Sequence, residues 1–171
     1  MRSKVPSHGD TPQQEREQQI ARFIRQYLDM AAHDGPQAVL LVARSDESPV
    51  ARALKDAAVE IASRGIGVRM IVATAESAKD LWPTTAGRHA REIRVARNPR
   101  LLDAHEQLVL GQRATWYGDS LRRDPLKRDA FESYAADDAA AAGRARSTFE
   151  RLWQATEPLR ARKSGAEPAA A

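Results

Sequence analysis

A chain of 171 residues, 42% of them hydrophobic, lies in the size range of one domain with its own core. Its longest apolar runs, such as Ala38 to Ala43, are far too short to cross a bilayer, and the absence of cysteine excludes disulfides, thiol catalysis and thiolate metal sites. The net charge of +4 favours anionic partners, but 27 basic residues face 23 acidic ones, so nucleic acid is permitted rather than indicated. Arginine far outnumbers lysine beside abundant alanine, which reads as the coding bias of a GC-rich, bacterial genome. The polar start Met1-Arg2-Ser3-Lys4-Val5-Pro6 lacks the apolar centre of a secretory signal, and cytoplasmic residence is expected.

Residues 1–11 show no hydrophobic period and are expected to be a disordered tail, as are residues 158–171, rich in Ala, Arg, Pro and Gly. Residues 12–157 form the expected domain. Thr11-Pro12-Gln13-Gln14 offers a hydroxyl cap, a first-turn proline and a glutamine in capping-box position. The helix opened there has an apolar stripe of Ile20, Phe23, Ile24, Tyr27, Leu28 and Ala31 and stops at Gly35-Pro36. Ala38 to Ala43 is continuously apolar, as in a strand covered on both faces. Ser48-Pro49 then caps a second helix, striped by Val50, Leu54, Ala57, Ala58 and Ile61 and ended by Gly65, before a strand from Gly67 to Ala73. This strand-helix-strand order predicts parallel pairing, with the polar loop Arg44 to Ser48 at the carboxyl end where α/β folds place ligands.

Between Thr74 and Arg91 the pattern weakens into a connection with short helical pieces at most. Ile93 to Ala96, Gln107 to Leu110 and Ala114 to Tyr117 read as short strands, the last two joined in a hairpin by Gly111-Gln112-Arg113. Alternation should turn one of Trp116 and Tyr117 inward and the other outward. Asp137-Asp138 opens a last, alanine-rich helix with Ala142, Ala145, Phe149, Leu152 and Trp153 on one side. The fold class expected is α/β, a mixed and largely parallel sheet with helices on both faces.

This order of elements, with His105-Glu106-Gln107, the hairpin, Gly118-Asp119-Ser120 and a helix ending Phe149-Glu150-Arg151-Leu152-Trp153, resembles half of a phospholipase D-type fold. It is most similar to that superfamily's small nucleases, which carry one motif per chain. The resemblance covers roughly residues 14–159 and one degraded motif. The family signature is His-x-Lys-x4-Asp followed by a glycine-serine pair. Its histidine attacks a phosphodiester, its lysine neutralises the phosphate, and a second histidine, from a symmetry mate in single-motif members, protonates the leaving group. Here His105 stands at the histidine position, but Gln107 replaces the lysine and Gln112 the aspartate. Ser120 keeps the expected spacing although Asp119 separates it from Gly118, Arg122 stands where an asparagine is usual, and Glu132 lies near the carboxylate that orients the histidine.

The resemblance therefore implies His105 and Glu132 as the catalytic candidates, with Gln107, Gln112, Ser120 and Arg122 as ligand-binding candidates. Gln107 carries no charge to set beside a phosphate, although Arg113, Arg122 or Arg123 offers a partial replacement. Three readings follow. The first is a non-catalytic, homodimeric domain that binds a phosphate-bearing ligand or regulates a partner. The second is a metal-independent phosphodiesterase or nuclease using His105 from each subunit, and the third a non-specific nucleic-acid binder. No cofactor is expected. His8, His33 and His89 lack ligand-like spacing and predict no metal site, and no Walker-type, GxSxG or dinucleotide motif is present.

Overall fold

The computed structural model describes residues 12–30, 37–74, 82–83, 86, 91–124 and 131–159. The expected Thr11 cap, the Gly35-Pro36 stop and most of both tails lie outside the described residues. Helix α1 (Pro12–Met30) buries Ile20, Phe23, Ile24 and Leu28, the three- and four-residue stripe of the sequence. Strand β1 (Ala38–Ala43) leads through a polar loop to α2 (Pro49–Asp56) and α3 (Ala58–Ser63), and then β2 (Gly67–Val72). The single helix expected between Ser48 and Gly65 is thus broken at Ala57, which caps the first piece and leads into the second. Strand β3 (Arg91–Val95) is followed by a 3-10 turn at Pro99–Asp103, opened by the Asn98 side chain accepting from the Arg100 amide. Strands β4 (His105–Leu110) and β5 (Ala114–Ser120) make the hairpin, then come β6 (Glu132–Ala135), α4 (Ala139–Gln154) and the two-residue β7 (Glu157–Pro158).

The seven strands form one mixed sheet in the order β6-β5-β4-β1-β2-β3-β7. Parallel pairing is confined to β1 with β2 and β2 with β3, while the four other ladders are antiparallel, so the parallel share is smaller than expected. An apolar run signals burial on both faces, and a central antiparallel strand such as β4 meets that condition as well as a parallel one. The 3-10 turn, β6 and β7 had no sequence signal, being too short or too polar to show a period. Pro158 pairs with Arg94, past the expected boundary at residue 157, on an edge where a missing N–H is harmless.

Helices cover both faces. Val39, Leu41 and Ala43 of β1, Met70 of β2 and Leu108 of β4 pack with α1, α2 and α3 in one core. Leu40, Val42, Ile71 and Val109 point the other way, against Phe149 and Trp153 of α4. Trp116 is 1% exposed in the first core, and Tyr117 packs partly against the second instead of facing water. Asp138 caps α4 by accepting from the Ala141 amide at 2.8 Å, at the helix start that the sequence predicts. Arg69 crosses that face, with its guanidinium 4.1 Å from the Trp153 ring centroid and ion-paired to Glu150.

Gly111 and Gly118 are both demanded by geometry. Gly111 opens the hairpin turn at φ +58, where a Cβ would clash with Gln37 Oε1 and sit 2.9 Å from Tyr27 Cε2. A Cβ on Gly118 would meet Trp116 Cη2 at 2.6 Å, so the indole lies directly over this residue. Gly111→Ala should destabilise the domain by about 1–3 kcal/mol, combining a left-handed backbone with a steric clash. The check is urea unfolding, with the midpoint lowered and the slope unchanged.

Candidate functional site

One end of the sheet gathers the chemistry. The carboxyl end of β1, the start of β4, the end of β5 and the start of β6 all meet there, because β4 and β6 run antiparallel to their neighbours. His105 pairs with Ser120, and the ladder slips between His105 and Gln107 because β5 carries an extra residue at Gly118-Asp119. The exposed His105 ring places Nδ1 3.1 Å from the Gly118 carbonyl oxygen. A carbonyl only accepts, so Nδ1 is the donor in this contact.

Gln107, 1% exposed, does not share that surface. It turns onto α4 and its Nε2 donates to the Ala145 carbonyl at 2.9 Å. Gln112 lies in the turn at the far end of β4, roughly 20 Å from His105 at an extended rise of about 3.3 Å per residue. Its Oε1 accepts from Arg146 there at 2.7 Å. Arg122 folds away onto the 3-10 turn, pairing with Asp103 at 2.7 Å and donating to the Pro99 carbonyl. Of the sequence candidates, His105 and Ser120 alone stand side by side.

Glu132 is close in sequence terms but engaged elsewhere. It pairs with Gly118 along β6, on the face covered by α1, and its Oε1 lies 3.1 Å from Arg16 Nε. There it lines a small pocket with Arg16, Glu106, Trp116, Asp119 and Phe131. Glu106, 5% exposed, accepts from the Arg44 amide at 2.9 Å and so ties β4 to the loop after β1. The Ser48 hydroxyl also faces that carboxylate and accepts from the Ser45 amide at 3.3 Å, so it does not cap α2 as its position predicts. Asp119 accepts from the Phe131 amide at 3.0 Å and pairs with Arg123 at 3.4 Å.

Sequence reasoning missed Glu106 and Arg16, although both left a signal. Glu106 stands in the inward register of Leu108 and Leu110, and Arg16 extends the Ile20 and Ile24 stripe by one turn. Burial pushes the Glu106 carboxyl above its usual 4.5, against the Arg44 amide, the Ser48 hydroxyl and the charges of Arg44 and Arg16. Burial likewise raises Glu132, opposed chiefly by Arg16. Among the described residues no group of three His, Asp or Glu side chains is placed to hold a metal ion.

No family model matches the chain, and no curated protein matches it. Several solved structures are similar, two of them as follows. Nuc, a phospholipase D family member from Salmonella typhimurium, superposes with a TM-score of 0.52 at 11% identity, over 80% of this chain and 91% of that one. The fold is phospholipase D-like. The second is TrmBL2, described as an archaeal chromatin protein with a novel mode of DNA binding, at a TM-score of 0.52 and 14% identity. That match takes in 81% of this chain but 51% of TrmBL2, so the chain spans about half the length of that protein. At these identities the likeness is one of fold.

A raised folded-state pKa means that the folded protein holds its proton to higher pH than the unfolded chain does. Ionisation of Glu106 therefore opposes folding, and stability should rise as pH falls from neutral toward 4.5. Glu106→Gln keeps an acceptor for the Arg44 amide and should match or exceed the wild type in melting temperature at neutral pH. It should also show a shallower rise on acidification. A wild type that loses stability relative to this variant on acidification would instead mean that the fold favours the carboxylate.

Proposed function

We propose that this chain is a non-catalytic phospholipase D-like domain, a binding or regulatory module with a phosphate-bearing ligand as occupant of the His105 end of the sheet. The observation that carries this reading is Gln107, buried and bonded to α4 where the resemblance places the cation that neutralises a transferring phosphate. Nearby arginines do not replace that cation. Arg122 is paired with Asp103, Arg123 with Asp119, and Arg44 lies 3.8 Å from Asp124. Loss of one pre-organised charge contact lowers a rate by about a hundredfold to a thousandfold.

Binding is less demanding than catalysis. Exposed ion pairs are each worth roughly 0–1 kcal/mol, so Arg122, two residues beyond Ser120, exchanges Asp103 for a phosphate at small cost. The fold-level likeness to a phospholipase D family member and to a DNA-binding chromatin protein is compatible with such a ligand. A second reading, a metal-independent phosphodiesterase, is favoured by one observation, the exposed His105 paired with Ser120. It requires a two-fold homodimer to supply the second histidine.

Hydrolysis of bis-p-nitrophenyl phosphate in EDTA separates the two. The wild type and His105→Ala should both stay at the buffer rate, while inorganic phosphate should shift the His105 and Ser120 signals in NMR spectra. Turnover by the wild type that His105→Ala abolishes, together with a dimeric mass in sedimentation, would establish the second reading and remove the first.

A further inference from the structure

The charges on the helices are not evenly matched. Helix α1 balances Arg16, Arg22 and Arg25 against Glu15, Glu17 and Asp29, and α2 with α3 balances Arg52 and Lys55 against Asp56 and Glu60. Helix α4 carries Arg144, Arg146 and Arg151 against Glu150 alone, and Glu150 is committed to Arg69 of the sheet. Arg144 and Arg151 are exposed and seven residues apart, which puts them on one line of the outer face, opposite the buried Ala145, Phe149 and Trp153. Among the described residues neither has a carboxylate within ion-pair distance. Ser147 and Thr148 lie between them, the Thr148 hydroxyl accepting from Arg151 at 3.4 Å.

The rest of this face is low. Gly143 sits in the helix interior, where a Cβ would meet nothing within 4 Å, so packing does not ask for glycine there. Exposed alanine precedes it at Ala140. The Ser147 hydroxyl donates to the Gly143 carbonyl at 3.0 Å, which leaves two guanidiniums and the Thr148 hydroxyl as a row of hydrogen-bond donors suited to phosphate oxygens on a low helical ridge.

We propose that the outer face of α4, through Arg144, Thr148 and Arg151, docks on the sugar-phosphate backbone of duplex nucleic acid. A second copy of this chain is a poor occupant, because two such faces would set arginine against arginine. An anionic membrane is disfavoured too, since the large exposed hydrophobics among the described residues, Met30, Val59, Phe131 and Tyr134, are all off this helix. Single strands need stacking platforms, whereas the aromatics of α4, Phe149 and Trp153, are buried. This inference goes beyond the His105 site and does not rest on it.

Fluorescence anisotropy of a labelled 30-base-pair duplex, titrated with the full chain at 50 and 200 mM salt, reads it out. Binding should be non-specific, with a Kd of roughly 10⁻⁴–10⁻⁶ M, and should weaken as salt is raised. Arg144→Ala/Arg151→Ala should lower affinity at least about tenfold at low salt and reduce the salt slope by about 2. Arg22→Ala/Arg25→Ala removes the same charge from exposed positions of α1 and should leave binding close to wild type. Absence of wild-type binding at 50 mM salt overturns the proposal, as does an equal loss in the α1 and α4 double variants. Phosphodiester hydrolysis by His105 would defeat the non-catalytic reading while leaving the α4 result to stand on its own.

Discussion

Strand β1 must be dry on both faces, and most of the architecture is arranged to keep it so. Five of its six residues are buried, with Val39, Leu41 and Ala43 turned to one side and Leu40 and Val42 to the other. One face alone would leave the opposite row of apolar side chains in water, at about 25 cal/mol for each Å² left exposed. The α1, α2 and α3 layer covers the first row and α4 the second. Hydrogen bonding adds its own demand, because a buried strand needs partners on both edges. Parallel β2 and antiparallel β4 supply them, and the second of these pairings brings His105 and Glu106 to the carboxyl end of β1.

That placement divides the chemistry between two faces. Residues at period two along β4 separate Glu106, which faces the α1 layer, from Gln107, which faces α4. Glu106 holds the loop after β1 through the Arg44 amide, and Glu132 holds the edge strand to α1 through Arg16. Both carboxylates thus act as ties between elements, and burial raises the pKa of each. His105 is left with a main-chain carbonyl as its partner, which accepts from Nδ1 without supplying a counter-charge. Gln107 has taken a packing role that a lysine would fill only by burying an ammonium group against the Ala145 carbonyl.

Much of this was legible from residue order. The apolar run of β1, the stripe of α1, the hairpin across Gly111 and the helix start at Asp138 are local signals, and each stands where periodicity or helix-end chemistry put it. The 3-10 turn and β6 were not, since β6 has no apolar alternation of its own and is defined by its pairing with β5. The break at Ala57 was also hidden, because the apolar stripe runs on across it. Of the candidate site, the adjacency of His105 and Ser120 followed from the hairpin, whereas the destinations of Gln107, Gln112, Arg122 and Glu132 did not.

The sequence by itself determined the α/β class, the succession of the main helices and strands and the list of polar residues that fall near strand ends. These depend on interactions within a few residues, where side-chain periodicity and capping act directly. Only the tertiary structure decided which strands pair in which direction, which face each polar side chain enters and which charges cancel. Those outcomes depend on partners far apart along the chain, such as Arg16 with Glu132, Arg69 with Glu150 and Gln107 with Ala145. Local propensity carries no information about such pairs, because each is selected by the burial of two surfaces at once.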